Sequence, residues 1–533
     1  MTDPRPRGGR PTAPGGRGAG GRSTSGPART RPPRAELVGG VRRAPVIVVI
    51  AALLVIGGLV DRSGSSQGGT QTGAPLAQVP VAAPAGALSS SWFCAGATSP
   101  SGPAPGSVVI ANSAGRPVTA TISLVGDQGP GATSTVTVGA NSRSSVPENL
   151  PGSSHWEGAA VALSGGAAAV EQEVTGPLGT SSSPCATSGE RTWYFATGRT
   201  AINASDEITL LNPYPTESVV DLSFTTDQGL EAPAEFQALV VPASGMIGID
   251  LGTHLRRRIR IATVVTARTG RVVAWQTQVV TPVPSGTPVI GPNGAPPDAI
   301  DPASPVAGVA LTRGSSSAAT SWTWPDGVAG NGIDEQYVIF NPSPGTAQVQ
   351  LALKLDQGSA TPFTLTVGPN EVSTVISDQE ARVPAGVTHS AVVRSLNGVP
   401  VVAERTVAGA SPSTHTGIGD LAGERLASKS WLFPAGSANA KSEEWLVLYN
   451  PGTGPVTAAV AGLAGGASTP ISGLNAVVVA PKGRAAVRIN DHAATLDAAL
   501  TVQAPAPLFV ERDLYGASKQ NGYDMSTGVP LLP

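Results

Sequence analysis

The sequence predicts an all-β protein, with tandem immunoglobulin-like β-sandwich repeats behind a single N-terminal transmembrane helix. A cassette opened by Trp recurs four times, and short apolar or alternating runs are cut by Gly, Pro, Asn and Asp. One uninterrupted aliphatic run, Val46 to Val60, stands near the start. Composition agrees: charged residues are 13% and aromatics 4% of 533, so the cores must use small and β-branched side chains. The length exceeds what one hydrophobic core serves.

Residues 1–43 carry ten Arg and only Asp3 and Glu36 as acids, amid Pro and Gly, which predicts a disordered cytoplasmic tail. Beyond them 24 basic residues face 34 acidic ones, which argues against a nucleic-acid partner for the main body. Residues 44–60 form the expected signal anchor. Its aliphatic stretch spans about 22 Å as a helix, short for a ~30 Å hydrocarbon core but extended by Ala44, Pro45 and snorkelling Arg side chains. Asp61 and Arg62 stand where a signal peptidase needs small residues, so the anchor is read as uncleaved. Arg42 and Arg43 hold the N-terminus in the cytoplasm, with the rest of the chain extracytoplasmic and residues 61–88 a flexible stalk. Both cysteines, Cys94 and Cys185, follow the anchor, where an oxidised pair is expected. Two thiols without a His cluster make a poor zinc site.

The cassettes open at Trp92, Trp193, Trp322 and Trp431, and each continues to an apolar strand ending in Asn112, Asn212, Asn341 or Asn450. Asp-Gln-Gly follows in the first three copies, at Asp127, Asp227 and Asp356, whereas the fourth has Gly465 there. Each copy closes on a Val-rich strand with polar residues: Glu171 and Glu173, Gln276 and Gln278, Glu404 and Arg405, Glu511 and Arg512. The predicted repeats are 89–187, 188–282, 321–412 and 428–516. A Pro- and Gly-rich linker is predicted over 283–320 and a C-terminal tail over 517–533, in a rod-like array.

No catalytic residue, cofactor site or metal site stands out. Gly64-Ser65-Ser66-Gln67-Gly68 matches a nucleophile elbow but lies in the stalk, without the strand and helix such an elbow needs. The five His are scattered, which favours solvated loop positions. The Asp-Gln-Gly triplets read as turns rather than calcium loops. The closing polar residues read as charges that guard exposed strand edges, with a binding groove as the rival. Most Trp fall at corresponding cassette positions and read as core plugs. Trp156 falls outside that pattern and is the candidate platform for a glycan. Arg256, Arg257 and Arg258, with Arg260 beside them, form a basic cluster that would suit an anionic glycan.

With these motifs placed, the chain resembles a family of secreted or membrane-anchored actinobacterial proteins classed as a domain of unknown function. The resemblance implies no activity, cofactor or mapped site; links of some members to membrane glycosyltransferases point to the cell envelope. The expectation is a non-enzymatic, single-pass membrane protein with a structural or interaction role in the envelope, accessory to glycan assembly and with an envelope protein or glycan as partner. The alternatives are a polysaccharide-binding protein and an enzyme whose site the sequence conceals.

Overall fold

The computed structural model describes residues 79–150, 152–282, 306–356, 358–516 and 522–532. The expected tail, the anchor over 44–60 and residues 61–78 of the stalk lie outside the described residues. Those described form strands and short 3-10 turns without an α-helix, and none of their helices is long and apolar enough to cross a membrane.

Alternation and turn chemistry define the first module. In β3 (Val118–Gly126), Val118, Ala120 and Ile122 point inward, while Thr119 is exposed. With β1 (Ser90–Thr98), β4 (Gly129–Val138) and β6 (Trp156–Leu163) it forms a sheet ordered β1-β6-β3-β4. The second sheet is ordered β5-β2-β7-β8, from β2 (Gly106–Asn112), β5 (Ser142–Pro147), β7 (Ala168–Gly176) and β8 (Gly179–Pro184). All pairings are antiparallel. The same two orders recur three more times, in modules whose first strands are Thr192–Phe195, Ser321–Trp324 and Ser428–Phe433. They differ from the ABED and CFG sheets of a constant-type immunoglobulin domain. In the fourth module the sixth and seventh strands are one continuous strand, Ala499–Gly516, which serves both sheets.

Each cassette residue has a structural task. Trp92, Trp193, Trp322 and Trp431 are buried, and the last three donate their indole N–H to backbone carbonyls. The four Asn are fully buried pins. Asn112 Nδ2 donates to Arg116 O at 2.8 Å and to Val138 O at 3.3 Å, while its Oδ1 accepts Ala114 N–H at 2.9 Å. One amide thus closes the turn and ties β2 to the opposite sheet, and Asn212, Asn341 and Asn450 repeat the pattern.

The expected linker and tail conceal the eighth strands. Gly308–Arg313, inside 283–320, completes the second module. Gly417–Ala422, between the predicted third and fourth repeats, completes the third, and Tyr523–Thr527, inside the predicted tail, completes the fourth. The first two are short and rich in small residues because they lie where modules meet. A Cβ on Gly308 would lie 2.5 Å from Ile418 N, and one on Gly419 would lie 2.5 Å from Tyr523 O.

The rod-like expectation is corrected as well. The eighth strands pack in a cycle: β8 on Gly308–Arg313, that strand on Gly417–Ala422, that on Tyr523–Thr527, and the last back on β8. The chain ends reinforce the closure, since Ala82 N–H donates to Pro530 O at 3.0 Å. The last part of the expected stalk is therefore docked, with Ala82 wholly buried. Core residues of the first two modules form one continuous cluster, which also takes in Leu432, Leu463, Ala499 and Val529 of the fourth.

Candidate functional site

The seventh strands carry the closing polar residues, and each lies between the second and eighth strands of its sheet. These residues are therefore not edge charges. Glu171, Gln276, Glu404, Arg405, Glu511 and Arg512 are all at most 1% exposed. Burial of charge is tolerable only with partners, and here the neighbouring module supplies them. Glu404 Oε2 of the third module accepts Thr197 N–H of the second at 2.9 Å. Glu511 Oε2 of the fourth accepts Asp326 N–H of the third at 3.2 Å. Glu171 Oε2 of the first accepts Ala435 N–H of the fourth at 2.8 Å. Each bonded N–H belongs to the residue four beyond the opening Trp.

The fourth junction solves the same problem without charge. The register that pairs Val108 with Gln172 and Ile208 with Gln276 puts Trp275 where the other modules have Glu. The Trp275 ring lies 3.1 Å from where a Cβ on Gly96 would stand. Gly96 N–H instead donates to Gln172 of its own module at 2.7 Å.

A second ring of buried carboxylates lies six residues before each Asn. Asp206, Glu335 and Glu444 are wholly buried there. The first module has Gly106, and the Glu148 carboxylate fills the space that its missing side chain leaves, 2.3 Å from a would-be Cβ. In the third module Glu335 Oε2 meets His389 Nε2 at 2.9 Å, and Tyr337 Oη lies 3.1 Å from the same nitrogen. Burial pushes Glu335 up, but the His389 and Arg405 charges hold it below the usual carboxylate range. His389, expected on a solvated loop, is completely buried.

The seam between the second and third modules differs from these closed clusters, because a cleft opens on it. Ala196, Ala201, Ile259 and Ile418 line it together with Arg260, Thr406 and Asp420, and it leaves room of about 60 Å³ for water-sized molecules. Asp420 Oδ2 accepts from Gln278 Nε2, while Asp420 Oδ1 has no hydrogen-bond partner among the described residues. Desolvation, then the neighbouring Glu404 charge, pushes Asp420 up to about 8, and burial pushes Glu404 up to about 7.

The other expected site residues have mixed fates. Cys94 and Cys185 are joined in a buried disulfide. Trp156 is half-buried: its ring lies against Gly248 of the second module and its Nε1 donates to Glu207 Oε2 at 2.6 Å, so it is no open platform. Arg256 and Arg257 are exposed, whereas Arg258 is forked onto Glu231 at 2.9 and 3.1 Å. No hydrogen bond or ring contact among the described residues joins Trp156 to the Arg loop. Among the described residues no three His, Cys, Asp or Glu side chains are grouped to hold a metal ion.

Fold and seams define a repeat-built β-sandwich protein whose buried charges fasten module to module. The chain belongs to a family of unknown function (DUF5719), whose profile matches residues 152–423. No curated protein matches it. Among solved structures, Thermotoga maritima 1070 is 19% identical over 20% of this chain and 96% of its own, with a TM-score of 0.19. The Anabaena sensory rhodopsin transducer is 23% identical over 17% of this chain and 96% of its own, with a TM-score of 0.15. Likenesses at these scores carry no argument about fold or function.

Proposed function

We infer that this is a membrane-anchored, extracytoplasmic protein of the cell envelope that acts without catalysis, as a rigid structural or interaction platform accessory to glycan assembly. The observation that carries the reading is the use of Glu171, Glu404 and Glu511, buried residues of a chemically capable type, to lock neighbouring modules together. Wholly buried beneath a neighbouring module, such groups hold shape where no substrate reaches them. The aliphatic run after the Arg-rich tail and the disulfide support placement outside the cytoplasm. The test is protease treatment of intact spheroplasts that express the full chain with a tag at each end. The reading expects loss of the C-terminal tag and protection of the N-terminal one, with envelope proteins captured by crosslinking. Protection of both tags would sink it.

A further inference from the structure

The cleft between the second and third modules holds three polar side chains whose bonding capacity the described residues leave partly or wholly unmet. Arg260, half-buried on its wall, makes no hydrogen bond or ion pair among the described residues. Asp420 is 8% exposed, and its Oδ1 is without a partner although its other oxygen is held by Gln278. Thr406 Oγ1 is likewise buried and unpartnered. Unmet buried polar atoms are costly, and each calls for a partner that the fold itself does not supply. The rest of the wall mixes apolar residues, Ala201, Ile259, Val338, Val407 and Ile418 among them, with Thr197, Arg199, Gln278 and Gln336.

This combination selects a ligand class. A guanidinium without a carboxylate partner recognises an oxyanion, preferably a planar carboxylate that accepts two parallel N–H bonds. A carboxyl oxygen and a threonine hydroxyl, fixed by the fold, recognise hydroxyl groups. Aliphatic walls accept the C–H face of a ring. The open room of about 60 Å³ equals about four waters, enough for a carboxylate and its adjacent hydroxyl-bearing carbon while the rest of a ring faces solvent.

We propose that this cleft binds a hydroxylated carboxylate of the sugar-acid class, a hexuronate or uronate chain end, with Arg260 on the carboxylate and Asp420 and Thr406 on the neighbouring hydroxyls. The site goes beyond the platform reading and does not rest on it: its binding test is indifferent to topology, so each can fail alone.

The test is calorimetric titration of the full chain in detergent micelles with glucuronate, glucose and inorganic phosphate. Glucuronate is expected to bind saturably, with glucose and phosphate each at least tenfold weaker. R260A is expected to weaken glucuronate binding at least tenfold with an unchanged unfolding temperature, and R260K to restore part of it, because Arg260 supports no other group. T406V is expected to reduce affinity severalfold. Equal binding of glucose, phosphate binding as tight as glucuronate, wild-type affinity in R260A, or no binding at millimolar glucuronate would each overturn the assignment.

Discussion

Glu171 of the first module accepts the backbone N–H of Ala435 in the fourth at 2.8 Å, across 264 residues of chain. The same oxygen lies 3.1 Å from Arg512 Nη1. Further contacts cross this junction, among them Arg143 Nη1 donating to Gly436 O at 2.6 Å, Asp524 Oδ1 accepting Ser182 N–H at 2.7 Å, and Arg512 Nη2 donating to Ser182 Oγ at 2.6 Å. The last module is thus bonded to the first as the third is to the second, which makes the array a cycle.

Removing the Glu171 carboxylate should therefore open that junction. Breaking a buried ion pair from one side costs about 3–5 kcal/mol, and E171A should fall near the low end because Asp524 remains 3.7 Å from Arg512. E171Q, which keeps an acceptor, should cost less. Denaturant unfolding of the full chain checks both, and a wild-type midpoint for E171A would refute the closure.

The Trp156–Gly248 contact predicts non-additivity. A Cβ at position 248 would stand 2.0 Å from the Trp156 ring, so G248A must expel the indole and break its bond to Glu207. Overpacking of this kind costs about 1–3 kcal/mol. In a W156A background G248A should cost almost nothing, and additive losses in the double-mutant cycle would show that the two do not touch.

The disulfide should contribute through the unfolded chain. Cys94 and Cys185 are 91 residues apart in sequence, and closing a loop of that length is worth roughly 4.6 kcal/mol in the chain-entropy picture. The C94A/C185A double variant should unfold at correspondingly lower denaturant, and an unchanged midpoint would contradict this.

Stability should fall as pH rises. Burial raises Asp420 and Glu148 to about 8, and Glu404, Glu444, Glu511 and Asp524 to about 7. A carboxyl raised in the folded state holds its proton better folded than unfolded. Its contribution is fully present below its ordinary value, near 4, and is lost as pH climbs through 7 to 8. Glu335, held low, acts oppositely and loses its contribution as pH falls below 4.5. The unfolding temperature should peak near pH 5 and decline towards pH 9, with a shallower decline in D420N. A maximum at pH 8 or above would rule this out.

The strand-rich class, the four copies and the tasks of their repeated residues are legible in the order of the amino acids. Trp at each opening, Asn at each strand end and the inward alternation of stretches such as Val118–Val125 are local signals, and burial or turn geometry acts on them within one module. The eighth strands escaped because small residues such as Gly308 and Gly419 are required by close approach to another module, and in a sequence they look like linker. The polar residues of the seventh strands were visible but misplaced: whether Glu404 faces water or Thr197 depends on what covers it, and that cover lies 207 residues away. The cleft was only half legible, through Arg260 in its basic cluster. Asp420 carries no motif, and it borders the same cleft as Arg260 only because two modules close on each other. Periodicity records each residue's neighbours along its own strand, whereas the strand of another module that stands opposite is fixed when the four modules pack together.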